Sequence, residues 1–266
     1  MSGVAIVTDT SALFPVGVAE RLGVSVVPIA IAFDGDTFDE HARGIDDFYG
    51  LLCGGATATT AQPSPGAFLD AYRAAAAAGA REVLSIHLDA RVSATVASAE
   101  LAADEASIPV TVVDSGTVSF GVGVCVRAAA KAVAAGASAR DAVTVVRRLG
   151  SELHNVFVAR GGARGRVPDE PEWAVLEFVD GKTSVRGACA TVDEAVEVMA
   201  GTVPQEEPGR AAVGHAAEAM RPAADALAVL LASSSRVIGV ERYRVGAAVG
   251  AHTGPFSFGA FWWASK

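Results

Sequence analysis

The stretch Thr59-Thr60-Ala61-Gln62-Pro63-Ser64-Pro65 lies directly before an apolar, alanine-rich run. Ser64 is suited to the N-cap of a helix and Pro65 to its first position, so the pattern predicts a helix over 66–78 that Gly79 ends. The threonine hydroxyls then precede a helix N-terminus, whose unpaired N–H groups and partial positive charge favour an anion. The simpler interpretation is that the threonines only close the loop.

On both sides of that stretch, short apolar runs alternate with helical patterns as far as about residue 155. Pro28 argues that the second of the predicted strands lies at an edge or carries a bulge, because proline cannot donate a ladder hydrogen bond. The alternation predicts a Rossmann-like α/β domain over 1–155, with a parallel sheet covered by helices. Its predicted strands are 4–7, 24–33, 82–88 and 109–113, and its predicted helices are 15–22, 46–52, 66–78, 93–104, 121–135 and 139–153. A fifth predicted strand, 156–159, directly follows this domain.

The pattern changes after residue 155. Two apolar runs, 173–179 and 183–190, flank Asp180-Gly181, which is a typical turn of a hairpin. We therefore predict a second, α+β domain over 156–266, with the hairpin and C-terminal strands. Its other predicted elements are helices over 193–200 and 222–232 and strands over 210–215, 236–241 and 258–263.

Composition excludes several classes of protein. The 266 residues are 51% hydrophobic and 19% charged, which is typical of a globular chain and not of a disordered one. The formal net charge of −9 argues against nucleic acid as a partner. We expect no signal peptide, because Met1 leads straight into a short strand pattern without a basic segment or a cleavage site. We expect no stable membrane insertion, because the longest apolar stretch is interrupted by Arg127 and Lys131. The three widely spaced cysteines favour a reducing, cytoplasmic location.

The sequence lacks the motifs of several common active sites. Its five histidines show no i, i+4 pairing and no clustered cysteine or carboxylate partners, so we predict no metal. A phosphate-binding loop is absent, and Gly121-Val122-Gly123 is only a fragment of a dinucleotide fingerprint. No G-x-S-x-G nucleophile elbow is present. We therefore predict no cofactor and no catalytic residue.

Hydroxyl-rich loops do follow three of the predicted strands, at 8–11, 89–95 and 114–117. In parallel sheets, ligands bind beyond the carboxyl ends of the strands. Hydroxyl donors in front of apolar elements suit a ligand with a hydrogen-bonded head and a buried apolar body. Each candidate also has a simpler interpretation: Ser93 as an ordinary N-cap, His252 as a loop histidine that caps a turn, and Arg160, Arg164 and Arg166 as a solvated basic loop.

Six segments, in order and at suitable spacings, resemble motifs of the DegV family of bacterial lipid-binding proteins. They are IVTDTS at 6–11, TAQPSP at 60–65, SIHLDARVSATVAS at 85–98, VDS at 113–115, GGAR at 161–164 and HTGP at 252–255. No single segment is specific, but together they cover nearly the whole chain.

The resemblance implies a fold of two α/β domains with a long-chain fatty acid in a cleft between them. Thr60 and Ser93 match positions whose hydroxyls hold the carboxylate, and the backbone N–H of Ala94 matches a third donor. His252 matches a histidine close to the head group, and Arg164 matches the arginine of a glycine-rich loop. In some members a separate ATP-dependent fatty acid kinase subunit phosphorylates the bound acyl group. The resemblance therefore implies a kinase subunit as a candidate partner and a carrier role for this chain, which is not itself an enzyme.

The chain departs from the family pattern at four places. Ala61 replaces a serine, Ala94 replaces a glycine beside the predicted N–H donor, and Phe256 replaces a glycine after the HTGP segment. The segment over 163–172 is also shorter than the family's. These departures bear on chain length, head group and kinase coupling.

Two alternatives from other classes remain open at this point. The first is an enzyme that acts on a small acidic substrate at the strand ends, with His252 as general acid or base. The second is a protein-interaction domain in which Phe256, Phe258, Trp262 and Trp263 form an exposed or dimerising patch.

Overall fold

The computed structural model of the chain describes residues 3–160, 173–203 and 207–265. Its strands are β1 Val4–Asp9, β2 Val24–Val27, β3 Ala30–Phe33, β4 Asp36–Thr37, β5 Ala58–Ala61, β6 Glu82–His87, β7 Val110–Asp114, β8 His154–Val158, β9 Trp173–Val179, β10 Lys182–Cys189, β11 Gly209–His215, β12 Val237–Arg244 and β13 Phe258–Ala264. Its helices are α1 Val18–Leu22, α2 Glu40–Arg43, α3 Ile45–Cys53, α4 Pro65–Ala77, α5 Thr95–Ala103, α6 Phe120–Ala134, α7 Ala139–Glu152, α8 Val192–Thr202, α9 Arg221–Ser233 and α10 Ala247–Thr253.

The described residues form two compact units, each built from two separate segments of the chain. Unit 1 joins the chain up to Ala30 with Ala61–Ser151, and unit 2 joins Ile31–Thr60 with the chain from Glu152 onward. The single division predicted from the sequence, after residue 155, differs from this arrangement over 31–60 and over 152–155. Long-range contacts explain the difference, since the α2–α3 segment hydrogen-bonds to residues near 245.

Unit 1 contains a four-stranded sheet in the order β2-β1-β6-β7, in which every neighbouring pair is parallel. Helices α4 and α5 cover one face, where Phe68 and Tyr72 pack with Val7 in one apolar cluster. Ile6 and Leu84 alternate with the residues of that face and are also buried, and α6 packs against both of their strands. The prediction of a parallel sheet covered by helices is confirmed.

The predicted strand over 24–33 is two strands, so that prediction is wrong. β2 pairs with β1, whereas β3 belongs to a three-stranded sheet in the order β4-β3-β5. Pro28 and Ile29 separate the two strands, and the N–H of Ile29 donates to Thr10 Oγ1 at 3.1 Å. Proline cannot donate to a ladder, and here it ends one sheet and lets the chain enter another.

The helix after the opening stretch begins and ends as predicted. Ser64 is its N-cap, and Ser64 Oγ accepts a hydrogen bond from the N–H of Ala67 at 3.2 Å. Pro65 occupies the first turn, where its missing N–H costs nothing. Gly79 follows the helix with φ of +92°, a conformation that favours glycine.

Unit 2 contains a six-stranded sheet in the order β10-β9-β8-β13-β11-β12. β9 and β10 are antiparallel and are joined by Asp180 and Gly181, both at positive φ, as a two-residue hairpin turn requires. β11 and β12 are parallel, and α9 connects them. Helices α8 and α9 pack on one face around Met199 and Leu227. The predicted hairpin and the mixed, sheet-rich character of this region are confirmed.

Candidate functional site

The three hydroxyl-rich loops of unit 1 lie at one edge of its sheet. β1, β6 and β7 are parallel neighbours, so their carboxyl ends meet there. Several of the hydroxyls are already engaged within the protein: Thr8 Oγ1, for example, donates to the Ile86 carbonyl at 2.8 Å and is fully buried. The edge predicted from the sequence therefore exists, but several of its hydroxyl groups form hydrogen bonds that hold the loops in place.

Beneath this edge lies a buried hydrogen-bonded chain of four side chains. Asp9 Oδ2 lies 2.7 Å from His87 Nδ1, and His87 Nε2 lies 2.7 Å from Ser85 Oγ, which also accepts from the Tyr72 hydroxyl at 2.9 Å. All four side chains are in the core, with no exposed surface. Burial raises the pKa of Tyr72 to about 12, although the hydrogen bond with Ser85 opposes that rise.

This chain of side chains was not predicted from the sequence. The signal was the spacing of Ser85 and His87, because residues two apart on a strand point to the same face. The order of contacts resembles a Ser-His-Asp catalytic triad. Ser85 Oγ and its partners have no exposed surface, so a substrate cannot reach them. The four side chains fill the core and satisfy one another's hydrogen-bonding groups.

Ser93 and Ala94 lie at the start of α5, but not as predicted. The helix begins at Thr95, and Ala94 is its N-cap, without a capping hydrogen bond from its side chain. Ser93 Oγ accepts from the N–H of Thr95 at 3.2 Å and shares a hydrogen bond with Thr95 Oγ1 at 2.8 Å. The helix starts later than residue 93 because the serine side chain bonds the backbone two residues on, in a local turn.

An open depression of about 670 Å³ lies against these two residues and is bordered by Arg91, Asp114 and Glu100. The Arg91 guanidinium binds the buried Asp89 carboxylate, with Nη2 and Oδ2 2.6 Å apart. Burial alone would raise the pKa of Asp89, but the hydrogen bonds and charge of Arg91 outweigh it and lower that pKa.

Unit 2 brings two other predicted site residues together. Thr60 lies on β5 and His252 in the last turn of α10, 192 positions away in the sequence, with Thr60 Oγ1 2.9 Å from His252 Nε2. Thr60 is partly exposed and His252 is exposed. The simpler interpretation of His252 as a loop histidine is wrong, because His252 is helical. α10 is short and rich in alanine, with little apolar periodicity to reveal it in the sequence.

The residues after His252 form a compact turn. Gly254 ends α10 with φ of +83°, and the Ser257 hydroxyl donates to the Gly254 carbonyl at 2.9 Å. Thr253 Oγ1 and Ser257 Oγ lie 3.0 Å apart. The HTGP segment therefore fixes the end of the helix that carries His252.

The aromatic residues near the C-terminus do not form an exposed patch. Phe258, Trp262 and Trp263 are buried, and Phe258 and Trp262 belong to the apolar cluster of unit 2. Phe256 is 40% exposed and stands apart from them in burial. The interaction-patch alternative is therefore wrong as stated, because the proposed patch residues are mostly core.

Some predictions concern residues outside the described ranges, namely Arg164, Arg166 and the segment 163–172. Arg160 is described, and its guanidinium carbon lies 4.6 Å from the centre of the Trp173 ring. Across the part of the chain that the structure describes, no group of three or more histidine, cysteine or carboxylate side chains is placed to bind a metal ion. In that same part, no helix has the length and apolar character needed to cross a bilayer.

Comparison with known proteins gives a consistent result. A family model described as an uncharacterised protein of the DegV family matches residues 3–160. A DegV domain-containing protein of Streptomyces coelicolor is 33% identical over an alignment of 276 positions that covers 95% of each chain. A solved structure described as the fatty acid binding of a DegV family protein from Thermus thermophilus is 28% identical, with a TM-score of 0.89, and the match covers 98% of this chain and 99% of that one. A DegV lipid-binding protein from Thermotoga maritima is 22% identical, has a TM-score of 0.87 over 98% of both chains, and so shares the fold.

Proposed function

The chain belongs to the DegV family, and on that premise we propose that it is a lipid-binding protein that holds a long-chain fatty acid by its carboxylate. The donors in this proposal are the hydroxyl of Thr60, the side chain of His252, the hydroxyl of Ser93 and the backbone N–H of Ala94. Arg164 is a further donor in the proposal and lies outside the described residues.

The observation that carries the proposal is the contact between Thr60 and His252. The two residues come from different family-like segments and are 192 positions apart, yet their polar atoms lie 2.9 Å apart. A hydroxyl and an imidazole at that distance can both turn to one carboxylate. Their exposure leaves them accessible, unlike the buried histidine chain of unit 1.

The ligand class follows from the energetics of a carboxylate with an apolar tail. A carboxylate that is taken from water without partners is costly, so the head needs several donors. Each buried methylene contributes about 0.8 kcal/mol, so a chain of about sixteen carbons contributes on the order of 10 kcal/mol before the costs of ordering it. The description of the Thermus thermophilus relative, at 28% identity over nearly the whole chain, supports the same ligand class.

The proposal assigns no catalysis to the chain. The serine, histidine and aspartate that are arranged as in a hydrolase are fully buried. We propose that a separate fatty acid kinase subunit receives the bound fatty acid from this protein. A cytoplasmic location is part of the proposal and is supported by three free cysteines, of which Cys125 and Cys189 are buried.

Retention of fatty acid by purified variants tests the site. We expect the double variant Thr60→Ala with Ser93→Ala to lose the copurified fatty acid, as measured by lipid extraction and mass spectrometry, while its unfolding transition stays close to that of the wild type. The matched control is Thr59→Ala, because adjacent residues of β5 point to opposite faces and Thr59 Oγ1 faces the Ala32 carbonyl at 3.5 Å. Undiminished lipid in the folded double variant would overturn the assignment of these donors.

A further inference from the structure

The helix that carries His252 cannot fix its own position. α10 has seven residues, four of which are alanine or glycine, and its N-cap Gly246 provides no side-chain hydrogen bond. So short a helix is not stable alone, and small side chains provide little apolar surface to anchor it. The placement of His252 must therefore be set by other parts of unit 2.

The α2–α3 segment provides that anchorage through three contacts. The Tyr49 hydroxyl donates to the Val245 carbonyl at 2.8 Å, directly before α10. The N–H of Ala247, in the first turn of α10, donates to Glu40 Oε2 at 3.1 Å. Asp46 holds the preceding Arg244 by an ion pair of 2.6 Å, so two helices fix the entry to α10 from nearly 200 positions away.

Close packing adds to these bonds. A Cβ atom on Gly250 would lie 2.5 Å from Tyr49 Oη and 3.0 Å from the Phe48 ring. The backbone of α10 therefore rests directly on Tyr49, which is 2% exposed. His252 follows Gly250 by half a turn of helix, so a shift at Tyr49 passes to the imidazole through rigid backbone.

We infer that Tyr49 is a positioning residue for His252, assisted by Glu40, and that together they hold the imidazole at hydrogen-bond distance from Thr60. The inference rests on the proposed function for its consequence, since a displaced imidazole would meet the carboxylate less well. Its geometry is independent of that function, because the contacts of Tyr49 with α10 and of His252 with Thr60 are made without any ligand.

A double-mutant cycle tests the consequence for binding. The dissociation constant of a long-chain fatty acid is measured for delipidated wild type, Tyr49→Phe, His252→Ala and the combined variant. We expect Tyr49→Phe to weaken binding about fivefold in the wild-type background, as for the loss of one hydrogen bond, and to have no further effect once His252 is alanine. An equal loss in both backgrounds, or no loss in either, would overturn the inference.

A lipid-free measurement separates this inference from the proposed function. The ¹⁵N chemical shift of His252 Nε2 is compared in wild type, Thr60→Ala and Tyr49→Phe, without fatty acid. We expect Tyr49→Phe to move the signal toward its value in Thr60→Ala. Glu40→Ala should have the same effect and replaces Tyr49→Phe if that variant folds poorly. The control is Tyr72→Phe, which removes another buried tyrosine hydroxyl, in unit 1, and should leave the signal unchanged. An unchanged signal in both Tyr49→Phe and Glu40→Ala would refute the inference, even if the protein binds fatty acid. A wild-type protein that binds no fatty acid would refute the proposed function alone.

Discussion

Two histidine–hydroxyl pairs in this chain have nearly the same geometry and opposite surroundings. His87 Nε2 lies 2.7 Å from Ser85 Oγ in unit 1, and His252 Nε2 lies 2.9 Å from Thr60 Oγ1 in unit 2. The first pair is fully buried and is completed by Asp9, whereas the second is accessible from outside its unit. A buried pair can only hold the fold, but an accessible pair can exchange its internal hydrogen bond for one to a ligand. Burial, and not residue type, therefore separates the structural histidine from the candidate functional one.

The largest effect on stability is expected when the buried histidine is removed. We expect His87→Ala to lower the free energy of unfolding by about 3–5 kcal/mol, because it leaves the Asp9 carboxylate buried without its partner and opens a cavity. Urea denaturation followed by circular dichroism measures the change. A loss below about 1 kcal/mol would mean that the network is not part of what stabilises unit 1.

A smaller effect is expected from the other end of the same network. Ser85→Ala deprives the Tyr72 hydroxyl and His87 Nε2 of a shared partner, and we expect a loss of about 1–3 kcal/mol of unfolding free energy. The Ala99 carbonyl lies 3.4 Å from the Tyr72 hydroxyl and can accept its hydrogen bond, so the loss should fall in the lower half of that range. Fatty acid affinity measured on the same sample should stay at the wild-type value. A clear fall in affinity would show that the buried pair affects ligand binding and is not purely structural.

The accessible histidine should show the reverse behaviour. We expect His252→Ala to change the unfolding free energy by no more than about 0.5 kcal/mol, as for other exposed positions, while weakening fatty acid binding about tenfold. Isothermal titration of delipidated protein gives the affinity, and thermal unfolding gives the stability. Large destabilisation with intact affinity would assign His252 a structural role and place both histidines in one class.

The smallest expected effect concerns Glu40, which holds the helix of the accessible pair. Burial raises its pKa above the ordinary value of 4.5, although the hydrogen bond from Ala247 opposes that rise. A raised folded-state pKa adds stability that is complete below the unfolded-state pKa and is lost as pH rises through the folded-state value. We therefore expect the unfolding free energy of wild type, relative to Glu40→Gln, to fall as pH rises from about 4.5 through the folded-state pKa of Glu40. A difference that does not vary with pH would show that Glu40 titrates normally.

Local signals in the sequence predicted the parts of the fold that local chemistry decides. The helix after Ser64 and Pro65 was found because a capping serine and an N-terminal proline act within one turn. The hairpin at Asp180-Gly181 was found because only a few residue pairs accept positive φ in succession. The alternation of short apolar runs and helices was enough to predict the parallel sheet of unit 1.

The features that the sequence did not predict depend on distant contacts. Pro28 marks an irregularity in the predicted strand over 24–33, but the change of sheet at that point depends on the distant strands with which β2 and β3 pair. α10 is short and stands on Tyr49, so its helical state is imposed by packing and not by propensity. The place of Thr60 before a helix N-terminus made it a candidate, but only the resemblance to family motifs linked it with His252. Spacing alone could not bring together two residues 192 positions apart. The start of α5 was misplaced because the Ser93 side chain bonds locally instead of capping the helix.

Native mass spectrometry of the purified wild-type protein, with lipid extraction alongside, is the most direct test of fatty acid binding. We expect a species heavier than the chain by the mass of one fatty acid, which is recovered as free fatty acid in the extract. A protein without added mass that also takes up no fatty acid when it is supplied would refute the proposed function. In that event Ala61, Ala94 and Phe256 would be the first positions at which to restore the residue typical of the family.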